Sequence, residues 1–164
     1  MKKKKQGFTL IEFLVVIAII TIISAVMIVN FRKGEESSRV IRNAQMLIQG
    51  IRRAQNLAIS SKEFFNGTFN EVPLGGYAIL VSRQSGSNTY YTIYADLDGQ
   101  QDLDSGETVE RVNFESGVIV DYIKYIPPGN PVDTNIIFIP PDPTVTVFPF
   151  IPPADEIVIT LQRQ

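Results

Sequence analysis

One apolar run decides most of what this chain can become. Positions 8–29, FTLIEFLVVIAIITIISAVMIV, hold 22 residues and one charge, Glu12. At about 1.5 Å per residue, a helix of that length spans about 33 Å, the depth of a bilayer's hydrocarbon core. Lys2 to Lys5 precede it. A positive flank holds that end in the cytoplasm and sends the residues from 30 onward across the membrane. A cleaved secretory signal fits less well, because the run exceeds the roughly 7–15 residues such signals use and no A-x-A-like site follows it. Ser24-Ala25-Val26 is the nearest approach.

Hydropathy does not explain Glu12. A carboxylate near the centre of a membrane helix costs about 2.5–3.5 kcal/mol on insertion scales, and less near an end, so such groups usually have a partner and a function. The apolar run contains no basic residue. A cut after Gly7 would give Phe8 a free α-amine one helical turn from Glu12, and a neighbouring subunit could bring a second. Glycine suits the position before the cut, since a protease can approach a backbone without a side chain.

Gly7-Phe8-Thr9-Leu10-Ile11-Glu12, followed by Phe13-Leu14-Val15-Val16-Ile17-Ala18-Ile19-Ile20, resembles the class III signal of type IV pilins and pseudopilins. The resemblance covers about 23 residues continuously. It implies that a prepilin peptidase cuts after Gly7 and methylates the new N-terminal Phe8, and that Glu12 acts in subunit docking. It also implies partners: other pilin-like subunits, an inner-membrane assembly platform, and the bilayer before assembly. Many family members carry glycine where this chain has Thr21 and proline where it has Val29. Both substitutions leave the helix with fewer loosening points.

The chemistry open to the rest is limited. The 164 residues include no cysteine and no histidine, which removes disulfides, thiolate metal sites, and the commonest general base. No Gly-rich phosphate loop is present either, so the chain reads as a non-enzyme. Charge is divided unevenly. Residues 8–62 carry seven Lys/Arg and three acids, a net of +4, whereas residues 63–164 carry four basic and fourteen acidic side chains, a net of −10. An acidic head repels phosphate backbones, so no direct nucleic-acid binding is expected.

Four regions follow: a basic leader at 1–7, a transmembrane or filament-core helix at 8–30, an amphipathic helix at 31–62, and an acidic β-rich head at 63–164. In the third, Val40, Ala44, Leu47, Ile48, Ile51, Ala54 and Ala58 recur at spacings of 3 and 4, one apolar stripe to pack on the head. Arg42, Arg52 and Arg53 lie off it, either as a solvated face or as contacts to acidic neighbours in a filament. Gly34 marks a bend, and Asn66-Gly67 a turn. A helix from Phe8 to about Lys62 would be roughly 80 Å long.

From Gly75-Gly76 the pattern changes to period two. Strands are expected at 77–81, 89–95, 107–114, 118–126, 135–139, 144–150 and 156–161, with a hairpin loop at Gln84–Asn88. The fold class is α+β: a long N-terminal helix packed on one antiparallel sheet or on a two-sheet head. The strand order resembles the heads of H-type minor pseudopilins and minor pilins. Nine of the ten prolines lie in 127–153, which predicts edge strands and rigid turns, or else a partner surface exposing Phe148 and Phe150. No further domain is expected after the last strand.

Asp96-Leu97-Asp98-Gly99-Gln100-Gln101-Asp102-Leu103-Asp104-Ser105-Gly106-Glu107 holds five carboxylates in twelve residues. Asp96, Asp98, Asp102, Asp104 and Glu107 could converge on a calcium ion, which takes six to eight or so oxygens. Equally, Asp and Gly serve turn geometry at a hairpin tip. The spacing is not that of an EF-hand, and no other cofactor is expected.

Two functions remain. The first is a structural subunit, of minor type, in a type IV pilus or type II secretion pseudopilus. It would be made as a single-pass inner-membrane precursor with its N-terminus cytoplasmic, and would end in a surface or periplasmic filament. The alternative is a membrane-anchored binding module, an adhesin or DNA-uptake tip mounted on the same helix.

Overall fold

A computed structural model describes residues 9–65, 67–126, 130–140, 144–149 and 156–163. The chain divides into two compact units, 1–38 and 39–164. A continuous helix, α1 (Leu10–Ile59), belongs to both and confirms an α+β chain. It passes through Gly34 unbroken, with the Ser38 hydroxyl donating to the Gly34 carbonyl at 2.8 Å. Within it, Leu10–Ile28 is the one helical stretch among the described residues long and apolar enough to cross a membrane. Its large apolar side chains are all exposed, as lipid-facing residues would be. Thr21 donates its hydroxyl to the Ile17 carbonyl at 2.9 Å and the Ala18 carbonyl at 2.8 Å. That bonding satisfies a polar group within the apolar stretch.

The helix stops at Ile59, three residues short of the expected Lys62, for a local reason. The Lys62 amide donates to the Leu57 carbonyl at 3.1 Å and the Ser61 amide to the Ala58 carbonyl at 2.9 Å. Ser61 sits at φ 44°. This pair of bonds around a left-handed residue is a Schellman cap.

Nine strands follow among the described residues: β1 (Phe64–Phe65), β2 (Asn70–Glu71), β3 (Gly76–Ser82), β4 (Tyr90–Asp96), β5 (Thr108–Asn113), β6 (Val118–Ile126), β7 (Asp133–Ile139), β8 (Thr144–Phe148) and β9 (Glu156–Arg163). They form an antiparallel sheet of order β5-β4-β3-β7-β8 and two pairs, β1-β2 and β6-β9. All seven expected strands are present. The small β1-β2 pair was not expected, because two-residue strands carry no periodicity. β8 is an edge, as its prolines predict. β7 is not: it pairs with β3 on one side and β8 on the other. Pro131 and Pro140 flank β7 rather than enter it, so its ladder donors are intact.

The core of the second unit joins three surfaces. Leu47, Ala54 and Ala58 of α1 meet the inner face of the large sheet (Tyr77, Ile79, Val81) and the β6-β9 pair. Ile48, expected in the same stripe, is half exposed, while Asn43 is fully buried. Gly50 lets α1 approach Tyr91, whose ring would collide with any Cβ there. The Tyr91 hydroxyl donates to the Met46 carbonyl at 3.1 Å. Burial of these groups at about 25 cal/mol per Å2 of apolar surface is what holds the helix on the sheet.

Two ion pairs add to this packing. Arg42 binds Glu115 through two bonds of 2.9 Å, and Arg53 pairs with Glu110. Arg42 and Arg53 thus meet the acidic head of their own chain, a partner that neither sequence reading gave them, while Arg52 is exposed.

Candidate functional site

At the start of α1, Thr9 is the N-cap and Glu12 the third helical residue. The Glu12 Oε2 accepts from the Thr9 amide and from the Thr9 hydroxyl, both at 2.8 Å, and the Glu12 amide donates to Thr9 Oγ1 at 3.3 Å. This reciprocal arrangement is a capping box, which satisfies helix-start donors that have no partner within the helix. The carboxylate that hydropathy left unexplained thus has a partner inside the chain. The signal was present in sequence as Thr9-x-x-Glu12, a spacing that hydropathy passes over. Gly7 and Phe8 lie outside the described residues.

The acidic loop joins β4 to β5. Asp96, at the end of β4, is fully buried, and Glu107, just before β5, is nearly so. Asp96 accepts from the amides of Gly99 at 2.7 Å and Gln101 at 3.0 Å. Glu107 accepts from Leu97 at 2.8 Å and Asp104 at 2.9 Å. Each carboxylate oxygen therefore holds one backbone amide, and the loop is folded around its own acids. Gly75 is required beside them, since a Cβ there would strike the Asp96 carboxylate. Burial pushes both carboxyls above the ordinary range; the amide bonds oppose that shift, and neighbouring Asp98 adds to it. The Tyr94 hydroxyl is pushed up strongly, first by burial and then by Asp96.

Of the five acids in the sequence reading, three come together: oxygens of Asp96, Asp98 and Glu107 lie within 4.8 Å of one another. Asp102 and Asp104 are not brought into that group, because the loop turns them outward and they remain exposed. The residues that could hold a cation are thus fewer than expected, and two of them already hold amides. Phe148, exposed in one of the two readings of its segment, is partly buried and packs against the cluster of Ala78, Tyr94 and Ile137. Phe150 lies outside the described residues.

Comparison with known families places a match at one end. Residues 2–28 match the family model of the prokaryotic N-terminal methylation motif. No curated protein and no solved structure matches the chain. The chain therefore carries a type IV pilin-like signal, followed directly by an apolar helix, and these features fit a membrane-anchored pilin precursor. The match ends at residue 28, so it does not extend to the head.

Proposed function

We propose that this chain is a minor structural subunit of a type IV pilus or type II secretion pseudopilus. The observation that carries this reading is the methylation motif over residues 2–28, running into a continuous helix with Glu12 in its first turn. The precursor crosses the inner membrane once, with its lysines on the cytoplasmic side. A prepilin peptidase cuts after Gly7 and methylates Phe8. Cutting replaces an amide at Phe8 with an amine, and Glu12 then has a charged partner to meet, its own or a neighbour's. An unpaired carboxylate in lipid is costly, so docking that supplies this partner is favoured over docking that does not. The assembly platform draws the helix from the bilayer into the filament. The irregular, proline-rich head supports a subunit that starts or caps a filament rather than one that repeats along it.

Mass spectrometry of the mature protein tests the processing step. A methylated N-terminus at Phe8 is expected, and an intact leader would sink the proposal. Glu12→Ala should leave cleavage intact and lower incorporation into sheared filaments by tenfold or more. A trace amount of the protein in those filaments fits a minor subunit, whereas a dominant band means a major one.

A further inference from the structure

The large sheet's outer face carries a groove with the chemistry of a ligand site. Its apolar residues form a cluster separate from the one holding α1. Register sets one row of side chains across it: Arg111, Thr92, Leu80, Asn135 and Phe148 are successive Cα partners on five adjacent strands. At about 4.8 Å between strands, that row is about 19 Å long. Two adjoining cavities lie over it, of about 130 Å3 beside Thr92 and Arg111 and about 490 Å3 beside Asn135 and Phe148. Leu80, Leu103 and Asp133 line both.

Thr92 gives the second indication. It is 1% exposed, and its hydroxyl has no partner among the described residues. Leaving such a group unpaired costs about 1–3 kcal/mol. At the rim, the Arg111 guanidinium lies over the Tyr90 ring, 4.4 Å from its centroid.

We propose that this groove binds a neutral saccharide chain. A ligand long enough to fill both cavities meets Arg111 at one end and Asp133 and Asp102 along the rest, so neither a uniformly cationic chain nor a uniformly anionic one matches the lining. The backbones of β3, β4 and β7 are spent in ladders on both sides, which denies an extended peptide the edge it would need to add as a strand. Hydroxyl and amide side chains, here Thr92 and Asn135, both donate and accept, as sugar hydroxyls do. Leu80 and Leu103 offer apolar surface to the C–H face of a sugar ring. The larger cavity has the size of ordinary ligand pockets, about 300–1,000 Å3. This inference concerns the head alone and does not depend on how the helix assembles.

The test uses the full-length protein in a detergent without a sugar headgroup, applied to an array of neutral and acidic oligosaccharides. The best neutral ligand is then titrated by calorimetry. Saturable retention of neutral glycans is expected, weakened at least tenfold in Arg111→Ala, a rim change on an exposed side chain that should leave the fold intact. Thr92→Val should also weaken binding while raising the melting temperature, because it removes a buried, unpaired hydroxyl. Arg52→Ala, exposed on the helix, should bind as the parent does. Retention of no glycan, retention of acidic glycans only, or equal binding by Arg111→Ala overturns the proposal.

Discussion

At Glu12 the helix start and the membrane make opposing demands on one carboxylate. The first turn needs an acceptor for its unpaired amides, and lipid penalises an unpartnered charge. Thr9 meets the first demand before any processing, and its two 2.8 Å bonds to Glu12 Oε2 give the carboxylate donors but no countercharge. Thr9→Val removes the hydroxyl's bonds and keeps the backbone one. Loss of an N-cap costs about 1 kcal/mol, so amide exchange at residues 10–13 in micelles should speed up about fivefold. Unchanged exchange would mean that the cap carries no weight. Asn43 is a second case. Fully buried on α1, it donates to the Arg39 carbonyl at 2.8 Å and accepts from the Glu115 amide at 2.9 Å. Asn43→Ala strands the Glu115 amide and should lower stability by about 1–3 kcal/mol, read as a fall in melting temperature. The two residues differ in legibility. Thr9 and Glu12 are three apart, within reach of a local motif. Asn43 and Glu115 are 72 apart, and only the folded chain introduces them.

Elements were legible where an apolar run was bounded by turn residues. β3 and β4 are such runs, buried on both faces, and both were expected within a residue or so of their observed bounds. β6 shows what periodicity misses. Val118 and Val120 face the core, then a bulge at Asp121 shifts the phase, and Ile123 and Tyr125 face it instead. A bulge places two residues opposite one, and so reverses the side chains beyond it. The helix end was misjudged for a related reason: Ser61 gave no glycine signal, yet adopts the left-handed conformation a Schellman cap needs. Ser61→Gly should therefore stabilise the protein by about 1 kcal/mol, since a side chain pays a steric penalty there that glycine avoids. Thermal melts would show a rise of a few degrees, and a fall would argue that the Ser61 side chain contributes something the cap geometry does not reveal. Gly50→Ala should act in the opposite direction, because overpacking against Tyr91 costs about 1–3 kcal/mol.

At the scale of the whole molecule, charge asymmetry and buried acids point to a dependence on pH. Asp96 and Glu107 have carboxyls raised above their ordinary range, chiefly by burial. The folded chain therefore binds protons at a pH where the unfolded chain does not. Stability then falls as pH rises through the folded values and recovers as pH falls, down to about pH 4, where unfolded carboxylates also protonate. Glu115 works the other way. Arg42 holds its carboxyl below the usual range, so its contribution is lost as pH drops, but the pair is exposed and adds little. The net −10 of residues 63–164 reinforces the first trend, since protonation relieves self-repulsion in the compact state. The melting temperature of the full chain in micelles should thus rise on acidification from pH 7 towards 5. Asp96→Asn should flatten that rise, since it removes one titrating buried acid. The variant should also be less stable at pH 5, because an amide nitrogen would then face a backbone donor where a carboxylate oxygen now accepts one. A parent protein that melts lower at pH 5 than at pH 7 would show that the amides around Asp96 and Glu107 outweigh their burial.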